Sequence, residues 1–273
     1  MTPKYYELTR EELLKDSKIP LRIMPDQGAV FQAMAGEILA LIEERNSQGR
    51  KTVLICPVGP VGHYPYLVGM INSRRISLKT TWFINMDEYL NETLEWIDED
   101  DPLSFRGFMN KHVYAQINEE LIMPEEQRVF PDPKHPEALT RLLTELGGAD
   151  AVFGGIGITG HVAFNEPEET MSCADYLSLK TRILAIAPET RAVNSLDGLN
   201  GAVDQMPRYC ITVGMHEISC ARKIRLYCFR NWHRAVVRRA CHGEPTAAFP
   251  VTLLQGHPDI SLTIPESVAA NGF

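Results

Sequence analysis

The sequence is short of positive charge. Its 273 residues carry 27 Lys and Arg against 35 Asp and Glu, a formal net charge of −8 with histidine neutral. No domain-wide basic surface follows from that balance, so nucleic acid is not an expected partner. Long apolar runs are also lacking, and no window approaches the roughly 18 residues that cross a bilayer. The start of the chain, with Lys4 and Glu7, has no apolar stretch of roughly 7–15 residues such as a secretory signal carries. The expectation is a cytoplasmic protein without a membrane partner. Six cysteines are present but no C-x-x-C pair, and Cys56, Cys210 and Cys228 fall in apolar runs where a thiol packs as a small hydrophobe. They read as reduced and structural. There is no internal repeat, low-complexity tract or Gly/Ser linker, so residues 1–273 read as a single domain, the first ~25 residues forming an extension ahead of it.

What is present is enough apolar sequence, 44% of residues, to fill a sizeable core. Val30, Met34, Ile38, Leu41 and Ile42 recur at helical spacing until the breakers Asn46 and Gly49. The next run, residues 52–56, is continuously apolar and closed by Pro57, as expected of a strand buried on both faces. Similar runs follow at 80–85, 151–154, 209–213, 224–229 and 260–264, with helical patterns such as 105–117 and 136–146 between most of them. Strands alternating with helices predict an α/β fold of Rossmann-like, three-layer type around a central, mainly parallel sheet.

In such sheets ligands bind beyond the carboxyl ends of the strands. Three post-strand loops therefore carry most weight: residues 57–65, residues 86–89, and the glycine-rich segment 154–167. The last contains a literal G-x-G-x-x-G from Gly155 to Gly160, but His161-Val162-Ala163-Phe164-Asn165-Glu166-Pro167 follows without helical period and residue 180 is Lys180, so the context of a dinucleotide fingerprint is missing. The glycines suit a backbone crowded against a ligand, delivering an imidazole and a carboxylate five residues apart. His161 and Glu166 can share a proton there, or can simply be polar loop residues. Asp87, taken alone, fits a helix N-cap as well as a catalytic carboxylate.

The segments Phe83-Ile84-Asn85-Met86-Asp87-Glu88-Tyr89 and Gly154-Gly155-Ile156-Gly157, continuing through Gly160-His161-Val162-Ala163-Phe164-Asn165-Glu166-Pro167, resemble the two signature segments of the glucosamine-6-phosphate deaminase/isomerase family. Supporting matches are Ser104-Phe105, Thr190-Arg191-Ala192-Val193-Asn194-Ser195 and the stretch 205–214, so the resemblance runs in order from about residue 30 to Ile264. It implies an aldose–ketose isomerisation of a 2-amino sugar coupled to loss of ammonia, with no metal and no organic cofactor. By the same resemblance Asp87 is the base that moves the C2 proton, and His161, supported by Glu166, transfers a proton at the ring oxygen. Gly157, Thr159 and Gly160 of the second segment, and Gly59 of the first loop, would lie against the substrate.

The sequence departs from the family at the far end of that substrate. Thr159 stands where an acid usually helps to orient the histidine. Pro60 and Val61 replace residues whose N–H and hydroxyl would point at a phosphate, since proline has no N–H and valine no hydroxyl. Leu196 replaces an Arg and His233 a Lys. Arg182 matches a family arginine tied to a regulatory site in some members and does not restore the grip. His63, His216 and His233 are then expected to line the altered pocket as polar groups; no H-x-x-x-H spacing supports a metal. The expectation is an amino-sugar isomerase/deaminase acting on a non-standard or unphosphorylated sugar, with its oligomeric state open and a homo-oligomer among the options. A sugar lactonase of the 6-phosphogluconolactonase type, or a sugar-binding sensor without catalysis, are the alternatives.

Overall fold

The run Thr52–Cys56 is buried at every position, and strand alternation explains why it has no polar face. Val53 and Ile55 enter one hydrophobic core while Leu54 and Cys56 enter another on the opposite side. The same division sends Val152 to the first core and Phe153 to the second, and Leu226 to the first and Tyr227 to the second. A sheet between two helical layers follows directly.

The computed structural model describes residues 4–271; residues 1–3 and 272–273, the ends of the expected 1–273 domain, lie outside the described residues. Its strands are β1 (Leu21–Met24), β2 (Thr52–Cys56), β3 (Thr81–Asn85), β4 (Asp87–Leu90), β5 (Arg128–Val129), β6 (Ala151–Gly154), β7 (Arg182–Ala185), β8 (Tyr209–Thr212), β9 (Ile224–Tyr227) and β10 (Ile260–Pro265). Its α-helices are α1 (Arg10–Leu14), α2 (Gln27–Ser47), α3 (Tyr64–Arg74), α4 (Phe105–His112), α5 (Glu137–Leu146), α6 (Cys173–Leu177), α7 (Pro188–Gly198), α8 (Met215–Ser219), α9 (His233–His242) and α10 (Glu266–Ala269). Seven strands form the central sheet in the order β1-β10-β9-β6-β2-β3-β5, every neighbouring pair parallel. Residues of α2, α3 and α4 pack on one face, those of α5, α8, α9 and α10 on the other. This is the expected α/β, Rossmann-like three-layer fold around a parallel sheet.

Two expectations are corrected. The run at 209–213 does not join the main sheet: β8 is the middle strand of a separate three-stranded antiparallel sheet, β4-β8-β7. The chain passes from one sheet to the other between Asn85 and Asp87, and Met86 bridges them, its N–H donating to Cys56 O and its carbonyl accepting from Val213 N. Asp87 is therefore a strand residue paired with Thr212 and caps no helix. The described part of the expected extension, residues 4–24, is joined to the core rather than standing ahead of it. Leu13 and Ile19 are fully buried, β1 forms the sheet edge on β10, and the buried Arg238 of α9 donates to Leu8 O and Ala270 O, fastening both ends of the chain. All six cysteines are free. No described helix is long and apolar enough to cross a membrane.

Candidate active site

The carboxyl ends of β2, β3, β6 and β9 converge on one cavity. Asp87 reaches it from the first residue of β4 and His161 from the loop after β6. That loop is held by buried polar contacts. Phe164 N donates to the Thr212 hydroxyl, beside the partner position of Asp87, and the Asn165 amide donates to Val162 O and Val213 O. Arg182 in turn donates to Asn165 Oδ1. The loop and β4 are thus both anchored on β8, which fixes the separation of the imidazole and the carboxyl group.

Burial is the main influence on Asp87, which is only 5% exposed. Desolvation, added to by the neighbouring Glu88 and opposed by a hydrogen bond from Thr212, pushes its carboxyl up to about 8. Glu88 is itself fully buried, and burial raises it in spite of the hydrogen bonds it accepts. These come from Tyr89 N, from the Ser104 hydroxyl, and from Phe105 N and Arg106 N at the start of α4. Glu88 therefore locks β4 to the positive end of a helix, and Asp87 with it.

His161 is oriented from behind. The Thr159 hydroxyl donates to Glu166 Oε2 at 2.9 Å and lies 2.8 Å from His161 Nδ1. A hydroxyl that donates to a carboxylate accepts from the imidazole, so the proton sits on Nδ1 and Nε2 is left as the acceptor. Glu166 Oε2 also lies 3.3 Å from Nδ1. Burial works against the charge on Glu166, but the hydrogen bond and charge of His161, with Thr190 and Thr159, outweigh it and hold this carboxylate below its ordinary value. Gly157 lies against the face of the ring: a Cβ there would come within 1.9 Å of His161 Cε1 and Nε2.

Of the remaining residues expected at the substrate, Gly59, Pro60 and His233 line the cavity. His233 is a wall rather than a ligand-binding group. Its Nδ1 accepts from Phe229 N and Arg230 N, and its Nε2 donates to Ile156 O. Burial, helped by the charge of Arg230, pushes it down to about 3. The structure places Val61, His63, Gly160, Leu196 and His216 away from the cavity. Val61 packs against the core beneath α2 and α3. His63 is fully buried, donates from Nδ1 to Pro60 O at 2.7 Å, and is pushed down to about 3 by burial. Gly160 shapes the loop at φ 81°, where a Cβ would strike the Phe249 ring at 2.5 Å. His216 lies on α8 near Cys220, its backbone tied to Leu179 O. Leu196 is 65% exposed, because the cavity-facing stripe of α7 is Thr190, Val193 and Asn194 and position 196 lies roughly 100° around the helix from it.

No family model matches the chain. Individual relatives do. A glucosamine-6-phosphate deaminase of Bacillus velezensis is 28% identical over 247 residues, covering 88% of this chain and 95% of the relative. One from Phocaeicola vulgatus is 29% identical over 243 residues, covering 86% and 87%. Among solved structures, a monomeric glucosamine-6-phosphate deaminase of the NagB superfamily superposes with a TM-score of 0.79 at 22% identity, covering 91% of this chain and 98% of that one. The chain is a homologue of the glucosamine-6-phosphate deaminases. A 6-phosphogluconolactonase from Trypanosoma cruzi shares the fold at a TM-score of 0.66 and 14% identity, covering 91% and 95%.

This deaminase homologue has cavity residues that the sequence reading passed over. Arg230 and Trp232 follow β9, and both line the cavity with Phe229. The rule that directs attention to carboxyl ends applies to β9 as it does to β6, and following it to residue 230 would have found them. Thr190 and Asn194 lay within a recognised segment but show their shared direction only once α7 is formed.

Proposed function

We propose that the chain is an amino-sugar isomerase/deaminase whose substrate need not carry a phosphate. The observation that supports this most is the meeting of Asp87 and His161 on one cavity from two separately anchored elements. Binding alone needs no such pairing of a carboxyl group and an oriented imidazole.

The chemistry starts with the cyclic sugar. His161 Nε2, the ring nitrogen that the Nδ1–Thr159 contact leaves free, accepts the proton of the anomeric hydroxyl, and the resulting imidazolium returns a proton to the ring oxygen as the ring opens. Thr159 and Glu166 stabilise the charge on the imidazolium. The Asp87 carboxylate then removes the C2 proton of the open-chain aldehyde while O1 takes a proton from the C2 ammonium, giving an enolamine, and Asp87 delivers its proton to C1, leaving an iminium at C2. Water adds to that carbon, and ammonia leaves as the ketone forms.

Asp87 is mostly protonated at neutral pH in the empty cavity, since its carboxyl is pushed up to about 8. An ammonium on C2 of the sugar favours the carboxylate by direct charge attraction, so an amino sugar prepares its own base. A neutral lactone lacks that effect, which favours the amino-sugar reading over lactone hydrolysis. The test is ammonia release from glucosamine and glucosamine 6-phosphate, run beside hydrolysis of the corresponding gluconolactones. Ammonia release from either amino sugar supports the proposal; lactone hydrolysis without ammonia release overturns it.

A further inference from the structure

We infer that Asp197 sets the charge of the sugar this cavity accepts, by engaging Arg230 in an ion pair. The inference rests on reading the cavity as a sugar site, and it concerns which sugar.

Arg230 is the one lysine or arginine among the described residues that line the cavity. Its guanidinium lies 5.2 Å from the centre of the Phe229 ring and 6.0 Å from that of Trp232, both cavity residues. Its Nη2 meets Asp197 Oδ2. Asp197 continues the stripe of α7 that faces the cavity, one position in the series Thr190, Val193, Asn194, Asp197, which is helical spacing of three and four. No neighbouring imidazole substitutes for the arginine. His233 has both ring nitrogens engaged within the protein, and His63 lies outside the cavity wall. His161 is committed at Nδ1 to Thr159.

A phosphate dianion entering this cavity meets a cation already matched by a carboxylate. It must displace Asp197 from Arg230 or lie beside it, and like charges at close range discriminate against a ligand. A sugar ending in a hydroxyl leaves the pair intact. The two side chains are 37% and 66% exposed, so the pair adds little to stability and is free to act on ligand choice.

The experiment is calorimetric titration at low ionic strength with glucosamine and glucosamine 6-phosphate, using the parent chain, Asp197→Asn, Arg230→Gln and the double variant. The parent should bind the two sugars within about threefold of each other, and Asp197→Asn should shift the ratio toward the phosphorylated sugar by about tenfold or more, the scale of one charge-assisted hydrogen bond. Arg230→Gln should abolish that gain in the double variant. An unchanged ratio in Asp197→Asn overturns the inference, as does a gain that survives in the double variant or a parent that already favours the phosphorylated sugar more than about tenfold. If neither sugar binds the parent, the sugar reading itself falls and takes this inference with it; if both bind and the ratio does not respond, the inference alone falls. Circular dichroism of each variant checks that both exposed substitutions leave the fold in place.

Discussion

The Thr159 hydroxyl lies 2.8 Å from His161 Nδ1, on the edge of the ring away from the nitrogen left to meet a ligand. It also donates to Glu166, so an uncharged residue connects the imidazole to its carboxylate. Thr159→Val removes both hydrogen bonds while nearly preserving volume. Glu166 stays within 3.3 Å of Nδ1, so support of the imidazolium is weakened rather than lost. A hydrogen bond to a charged group contributes about 1.5–3 kcal/mol, which places the fall in kcat at roughly 10–100-fold. Thr159→Ser should retain most activity. Steady-state ammonia release decides the matter: equal kcat for the Val and Ser variants would show that the hydroxyl carries nothing.

Asp87→Asn keeps the shape of the side chain and removes the base. Loss of a positioned base costs about 100–10,000-fold in rate, and an unchanged rate would leave Asp87 a structural residue of β4. In the parent, the base must be ionised, so kcat/KM should rise with pH toward a plateau above about 8, the value to which burial pushes this carboxyl. Stability should move the other way. The folded carboxyl holds its proton between about 4 and 8 while the unfolded one has released it, so the fold loses stability as pH rises through that window, by up to ~1.4 kcal/mol per pH unit. The amide has no proton to lose. Denaturant titrations at pH 4 and pH 8 should show Asp87→Asn gaining on the parent at the higher pH.

The strands that carry these groups were legible in the sequence wherever both faces are buried. The runs at β2 and β6 match the structure to the residue, because alternation between two cores demands apolar side chains at consecutive positions. The strands that escaped notice are short or lie at an edge. β5 has two residues, and β1 and β7 are half-exposed at sheet edges, where no continuous apolar pattern is required. Asp87 hid for a related reason: a polar residue after a strand fits a cap, and only the partner strand β8, more than a hundred residues on, makes it the start of β4. His161, Glu166 and Thr159 were legible because one loop carries all three. Leu196, His63 and His216 were misplaced because the direction of a side chain around α7, or into the core, depends on tertiary packing.

Gly157 should not tolerate a methyl group. It packs on the face of the His161 ring, and a Cβ would stand 1.9 Å from two ring atoms. His161 cannot retreat without breaking its contact with Thr159. Gly157→Ala is expected to turn the ring out of place and reduce kcat by about 100-fold or more, the size of a lost general acid–base contribution. Gly157 is only partly buried and lies in a loop outside both sheets, so thermal melting should move less than activity does. A Gly157→Ala protein with parental kcat would show that the ring is not held where the reaction needs it.

Acid unfolding should be driven in part by two buried imidazoles. His63 and His233 are both pushed down to about 3, chiefly by burial, whereas an unfolded histidine titrates near 6.5. The unfolded chain therefore binds protons that the folded chain refuses, and stability present above pH 6.5 is lost as pH falls from there toward 3. Below about pH 8 and down to about 4, Asp87 contributes a slope of the opposite sign from one group. Two histidines outweigh one carboxyl where the windows overlap, leaving a net loss of stability toward acid equal to about one group's slope, and the fall steepens below about pH 4, where Asp87 no longer opposes them. Replacing His63 by Gln removes one titrating group without touching the cavity, and the dependence of unfolding free energy on pH between 6 and 4 should flatten by up to ~1.4 kcal/mol per pH unit. The same flattening is expected of His233→Gln. The two histidines also predict what ligand binding will not do: neither gains a charge as pH falls through 6.5, so neither can strengthen the hold on an anionic sugar there. If His63→Gln unfolded in acid along the parent curve, His63 would be taking up its proton in the folded state, in spite of its burial.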